Sequence, residues 1–545
     1  MRRAAFTLVL ACLLLTPAGA LASSTQESMF QDDNLLEFAP AAEVAKTLDR
    51  LKGLGVDRVR VSVFWGTVAP ASSDSHKPKG FDGADPDAYQ QAKWERYDTL
   101  VTLAAARGIG VMWDVTGPSP NWATGTPQRK DLDDAWYPNA SEFADFVRAL
   151  GTRYSGTFIR PGDRPKTTTK PGKGVPGLPG YQPPTTVTTK AGPPLARVDT
   201  WEIWNEPNQG AWLAPQSTVH KVNGTRQWIP TSPQTYRKLA DAMYGALYVT
   251  GHGGDTILLG ATAPKGSDSP SVSHAMKPEL FIRELFCVDP HNEAYRGNAA
   301  KIRGCPTSDP INQVPKQHPV LFKATGFAHH PYELTFAPNH RPPDPAYYTI
   351  ANLGSLSRTL RLAYLRFKQP VPSSGIPLWL TEFGYQTNPP DRIGVSLTKQ
   401  AQYLDQAEYM VWRNRAVRAL SQFLLVDGGA PVSLTFQTGL MFLDGRAKPS
   451  LNAYRLPIWL PKRRFRAHSL VRVWGLARPA PNGTAPTVTI QFRRPHGSAW
   501  KTVATTTGSA DRGYVYKLVR LPGTGRVRMV WNAHPSRSVT VTVTH

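Results

Sequence analysis

The sequence predicts a parallel (β/α)8 TIM barrel followed by a small C-terminal antiparallel β-sandwich, and three observations carry that prediction. Helical and strand-like patterns alternate from Ser28 to Val426, the rhythm of parallel strands joined by helical crossovers. The strand-like runs number eight, which closes a barrel rather than leaving an open sheet. Near Pro461 the helical period disappears, and short alternating runs broken by Gly, Pro and Asn take over, as in a small all-β domain.

The elements follow in order. Ser28-Met29-Phe30 opens the first strand, and Ala41 to Leu54 is helical by the spacing of Val44, Leu48, Leu51 and Leu54. Asp57 to Trp65, DRVRVSVFW, alternates as a strand. A helix from Tyr97 to Arg107 leads into GIGVMWDV, and Ser141 to Tyr154 is a helix with Ser141 as its expected cap. Val198 to Trp204 is the fourth strand, stopped by Asn205-Glu206-Pro207. Asp255 to Ala263, Ala324 to His330, Ile376 to Gly384 and Leu420 to Val426 complete the set, with helices over Tyr348 to Phe367 and Leu397 to Arg418. Residues 160–196, rich in proline, glycine, threonine and lysine, read as a disordered insertion without helix or strand, hung from the barrel's bottom face. The barrel is thus assigned to 23–460 and the basic sandwich to 461–545.

The first residues combine a basic start, an apolar run from Ala4 to Leu15, and small residues at Ala18, Ala20 and Ala22. Residues 1–22 are therefore read as a secretory signal peptide. Cys12 is no lipidation site, because Leu10 is bulky and Leu13, Leu14 and Leu15 follow. No later run approaches the roughly 18 apolar residues of a membrane helix, so the mature chain is expected to be exported and without a membrane span. In an oxidising compartment Cys287 and Cys305 are expected to pair, closing a loop worth ~3 kcal/mol in the chain-entropy model. Two buried thiols, or a zinc site lacking histidine partners, are the alternatives. No glycine-rich turn follows the first strand, so no dinucleotide or phosphate cofactor is expected.

The net charge is +23, and the stretch from Lys462 onward holds fifteen Lys and Arg against one acid, Asp511. Such a field favours polyanions, such as an acidic wall polymer, while an arginine-rich solvated surface is the bland alternative. No nucleic-acid reading motif is present.

Two acids stand at strand ends: Glu206 in WNEPN and Glu382 in LTEFG. In a barrel such ends surround one mouth, so the two can face each other. Glycosidic cleavage needs such a pair, one group to protonate the leaving oxygen and one to attack or stabilise the anomeric carbon. WNEP on strand four with TEFG on strand seven resembles the clan of retaining (β/α)8 glycoside hydrolases, clan A, that includes families 5 and 39, over roughly residues 27–460. TWEIWNEPN shares Glu202, Trp204, Asn205, Glu206 and Pro207 with the family 39 pattern and carries Asp199 where that pattern has an aromatic.

The resemblance implies Glu206 as acid/base, Glu382 as nucleophile and Asn205 as the amide on the sugar 2-hydroxyl. It further implies that Arg60 orients the nucleophile, and that His330 and Tyr332 flank it, with the tyrosine hydroxyl donating to Glu382. Alternation along the strand turns His329 away. Trp65, Trp113, Trp122 and Trp212 fall near strand ends as candidate sugar platforms, of which Trp65 and Trp113 are taken as substrate-binding; the strand-eight run LSQFLLVDG has no tryptophan. The expected activity is retaining cleavage of a β-linked oligo- or polysaccharide, with the carboxyl groups about 5 to 5.5 Å apart rather than the roughly 6.5 to 9.5 Å of inverting enzymes. The competing expectation is a non-catalytic wall- or polysaccharide-binding protein that keeps the barrel as scaffold and uses the sandwich as anchor.

Overall fold

The computed structural model describes residues 25–222, 224–432 and 435–544; the signal peptide read at 1–22 lies outside them. Eight parallel strands close into a barrel: β1 (Glu27–Gln31), β2 (Arg58–Phe64), β3 (Gly110–Thr116), β4 (Thr200–Ile203), β5 (Thr256–Thr262), β6 (Gly326–His329), β7 (Leu378–Phe383) and β8 (Val417–Phe423). Neighbours in the ring run β1-β8-β7-β6-β5-β4-β3-β2. Along β2, Val59, Val61 and Val63 face the surrounding helices, while Arg60 and Ser62 point into the barrel. Met29, Met112, Leu258, Ala328, Trp379 and Ala419 fill the barrel's interior. The mouth above them is free to carry polar groups.

Local chemistry moved several boundaries. The helix expected from Ser141 begins at Ala140, because the Asn139 side chain accepts from the amides of Ser141 and Glu142 and takes the capping place. The helix α1 (Leu397–Trp412) ends earlier than Arg418, and β8 starts at Val417 rather than Leu420. Asn414 makes the turn by accepting from Ala416 N at 3.1 Å. The proline-rich insertion is not free of strand: Thr167–Lys170 pairs antiparallel with Thr185–Thr188. Its threonine runs are β-formers, with hydroxyl pairs such as Thr167 to Thr188 at 2.9 Å across the ladder. Every residue of that hairpin's two strands is exposed, so it adds nothing to the core. Cys287 and Cys305 are disulfide-bonded, and among the described residues no helix is long and apolar enough to cross a membrane.

The C-terminal region forms two sheets around one core that includes Phe465, Val473, Ile490, Val515 and Met529. One holds β9 (Ile458–Trp459), β11 (Leu470–Leu476) and β14 (Tyr514–Arg520); the other holds β10 (Arg464–Phe465), β12 (Thr487–Arg493), β13 (Lys501–Thr507), β15 (Gly525–Trp531) and β16 (Val539–Val543). Pairing is antiparallel except for the two-residue contact of β10 with β16. The sandwich is fastened to α1 through Trp412 and Tyr409, which pack on Trp474. Beside them the buried Arg478 grips both carboxylate oxygens of Glu408 at 2.6 Å. Arg478→Ala leaves Glu408 without its cation in a buried place and is expected to cost about 3–5 kcal/mol. The loss should appear as a lower guanidinium midpoint by tryptophan fluorescence.

Candidate active site

A pocket of about 390 Å³ opens at the carboxyl ends of the strands, lined among others by Asn205, Glu206, Tyr332 and Glu382. Both glutamates reach it through departures from regular strand geometry. In β7 the register to β8 slips by one residue between Leu380 and Phe383. A bulge of this kind re-aims side chains. Thr381 consequently reaches Glu202 inside the barrel while the next residue, Glu382, also faces inward onto Arg60. In the turn after β4, Trp204 and Glu206 both adopt positive φ, +62° and +38°, a left-handed conformation that costs a non-glycine residue about 1 kcal/mol or more. Hydrogen bonds hold that turn. Asn205 N donates to Thr116 Oγ1 and Glu206 N to the carbonyl of Ala261, each at 3.0 Å.

The hub of the site is Arg60, fully buried. Its guanidinium donates to Glu382 Oε1 at 2.8 Å, to Glu202 Oε1 at 2.8 Å, to Asn205 Oδ1 at 2.9 Å and to Gln31, and lies 3.1 Å from Asp114 Oδ2. Burial opposes its charge, but Asp114, Glu202 and Glu382 hold it well above the ordinary arginine value. On the other side Tyr332 Oη donates to Glu382 Oε2 at 3.0 Å, and His330 Nδ1 lies 2.9 Å from Glu206 Oε1 and 3.7 Å from Glu382 Oε2. Carboxylate oxygens of Glu206 and Glu382 and a His330 ring nitrogen all lie within 4.8 Å of one another.

That spacing would also let the three share a cation, yet the facing atoms already have partners: His330 Nδ1 bonds Glu206, while Tyr332 and Arg60 bond Glu382. Burial pushes the Glu382 carboxyl above the usual range, with His330 and Arg60 pulling it back. Burial alone would lower the His330 imidazole, and the carboxylates of Glu382 and Glu206 raise it overall. Asp114 is raised well above the carboxylate range, chiefly by desolvation.

The structure thus brings Arg60, Asn205, Glu206, His330, Tyr332 and Glu382 together. Trp65 and Trp113 are not among them, which corrects their reading as substrate contacts. Both are turned to the helices: Trp65, which opens the short helix directly after β2, stacks on Phe146, and Trp113, at an outward position of β3, packs edge-on against Tyr97 and Tyr154. Trp122 is half-buried behind Trp65, its indole bonded to the Pro70 carbonyl. Of the four tryptophans, Trp212 lines the pocket. Phe423, ending β8 where no tryptophan was found, lines it too, with Phe436 edge-on at 5.3 Å. His329 turns away as expected and bonds Thr262 and the Tyr348 carbonyl. Sequence reasoning passed over Asp114, Ser62 and Gln31, although the period of two along β1, β2 and β3 places all three inward.

No family model matches the chain, and no curated protein matches it. Among solved structures, a glucosidase from Croceicoccus marinus aligns over 94% of this chain and 96% of its own at 13% identity and a TM-score of 0.45. An exo-β-1,4-mannosidase from an Opitutaceae bacterium aligns over 79% and 58% at 14% and 0.40, and an endo-1,4-β-mannanase from Rhizomucor miehei over 79% and 95% at 11% and 0.36. Likenesses this remote say nothing of what the chain does.

Arg60→Met is expected to lose about 3–5 kcal/mol in urea unfolding, because three carboxyl groups then face one another around an uncharged side chain. Adding Asp114→Asn should return part of that loss.

Proposed function

We propose that the chain is an exported retaining glycoside hydrolase of the clan A type, cleaving a β-linked glycan by double displacement. The observation that carries this reading is the opposed pair Glu206 and Glu382, with carboxylate oxygens within 4.8 Å across one pocket. That closeness favours the short spacing of a nucleophile and acid/base pair over the wider gap in which an inverting site seats its water.

The environments divide the labour. Glu382 is held by Arg60 and Tyr332, donors that favour its charged form and fix one oxygen for attack on the anomeric carbon. Glu206 meets the His330 imidazole and is partly open to the pocket, so it gives its proton to the leaving oxygen. It later takes one from the water that releases the glycosyl-enzyme. Asn205, its carbonyl oxygen fixed by Arg60, turns its amide NH2 to the sugar 2-hydroxyl, where a bond tightening in the transition state raises the rate. Trp212 and Phe423 supply apolar faces for the sugar or its leaving group. Export rests on the leader read at 1–22, and the Cys287–Cys305 disulfide fits an oxidising compartment.

Glu382→Gln should lower kcat on an activated aryl glycoside by about 10³-fold or more, with azide restoring part of the rate as an inverted glycosyl azide. Unchanged turnover would end the proposal. Tyr332→Phe removes a donor that favours the ionised carboxyl, so the Glu382 pKa, already raised by burial, rises further. The acidic limb of kcat/KM against pH should therefore move to higher pH while the plateau is less affected. An unmoved limb would show that Glu382 does not set it.

A further inference from the structure

The structure sorts the fifteen cationic side chains from Lys462 onward into two sets. Arg478, Arg512 and Arg537 pair with Glu408, Asp57 and Asp405 of the barrel. Among the described residues the other twelve make no ion pair with a carboxylate, and their own domain offers a single acid, Asp511.

Four of the twelve, Arg464, Arg493, Arg526 and Arg528, share one face. Along β12 and β15, alternation buries Val488, Ile490, Phe492, Val527 and Met529 in the sandwich core, which turns Arg493, Arg526 and Arg528 outward. Phe465 is buried in the same core, so Arg464 faces outward beside it. In register Arg493 lies directly opposite Arg526, and Gln491 opposite Arg528. Like charges opposite one another weaken a sheet. Nevertheless the face holds them in place: the guanidinium carbons of Arg493 and Arg528 lie 4.8 and 4.2 Å from the Trp500 ring centroid, and Arg528 Nε donates to Gln491 Oε1 at 2.9 Å. Ordered cations that repel one another and meet no acid of their own are arranged for an outside anion.

We infer that this outer face of the sandwich binds an acidic polysaccharide through its carboxylates. Strand spacing sets the four arginines over roughly 14 Å, from β10 to β12, and their planar forks suit carboxylates. Single-stranded nucleic acid wants free aromatic faces for base stacking, and Trp500 is taken up by its two guanidinium groups. Preference for a glycan over other polyanions rests on the glycosidase reading of the barrel. Because the acid-paired arginines fix the sandwich to α1 and to the loop before β2, the face is available without disturbing the pocket.

The test uses the full-length chain with polygalacturonate as probe. Retention in affinity electrophoresis should fall steeply between about 50 and 500 mM salt. The combined variant Arg464→Gln, Arg493→Gln, Arg526→Gln and Arg528→Gln should bind roughly tenfold or more weakly, with aryl-glycoside hydrolysis unchanged and no fall in Tm. The exposed single change Arg526→Gln should move binding in the same direction and covers the case in which the combined variant misfolds. Undiminished binding by the combined variant, insensitivity to salt, or displacement of polygalacturonate by a lower concentration of duplex DNA would each overturn the proposal. Binding by a wild-type chain that hydrolyses no aryl glycoside supports this face and counts only against the barrel reading.

Discussion

The arrangement at the barrel mouth depends on burying one guanidinium. Taking Arg60 out of water is costly on its own, and the barrel offsets this by closing Glu202, Asp114, Glu382, Asn205 and Gln31 around it. These partners come from β1, β3, β7 and the β4 strand with its following turn, around an arginine on β2, so the ring must close in register before the cation is satisfied. Arg60 is therefore both a fold constraint and the element that aims the site: the group that neutralises the barrel's interior acids also holds Glu382 by one oxygen. The charge balance is tight. One arginine and one histidine face several carboxyl groups; burial, with the charges of Glu202 and Glu382 added, drives Asp114 toward its neutral form, while His330, Arg60 and the Tyr332 hydroxyl counter the effect of burial on Glu382.

Much of this was legible in the sequence, and the reason is periodicity. WNEP and TEFG mark strand ends, and a closed parallel barrel puts all such ends on one rim, so Glu206 and Glu382 meet although they lie far apart in the sequence. The same period of two, applied fully, would have placed Ser62 and Asp114 inside and would have sent Trp65 and Trp113 outward. Composition misled there, because tryptophan near a strand end is as useful for packing helices onto the barrel as for stacking on sugar. What periodicity could not show is where it breaks. The bulge at Thr381-Glu382 and the left-handed turn at Trp204 and Glu206 violate strand rules locally, and both lie at the acids themselves. The Thr-rich hairpin was hidden for the opposite reason: proline and glycine dominated the composition while two short threonine runs set the pairing.

The sandwich shows how one residue type serves two ends. Arginines that meet barrel acids at Glu408, Asp57 and Asp405 fasten the domains, with Trp412, Trp474 and Tyr514 supplying apolar contact beside them. Asp57 precedes β2 and thus lies at the amino ends of the strands, opposite the pocket. The remaining arginines have no such partner, and the sheet register sets two of them against each other. A surface kept only for solubility would gain from interspersed acids, which this domain lacks almost entirely.

The choice between a working enzyme and a scaffold that only binds glycan turns on the same physics. A glycan-binding groove needs aromatic faces and scattered hydrogen-bond groups, which Trp212, Phe423 and Asn205 already offer at little cost. It has no need of two carboxyl groups within 4.8 Å of each other and of an imidazole, since like charges at that distance destabilise the folded chain. Nor has it need of a left-handed Glu206, whose strain must be met by bonds to Ala261 and, through Asn205, to Thr116. Strain and repulsion gathered at a few side chains, with a tyrosine and an arginine aimed at one carboxylate and a histidine at the other, make sense where charge shifts between the two acids during a reaction. The costs concentrate where double displacement would use them, and the surrounding barrel is built in the ordinary economical way.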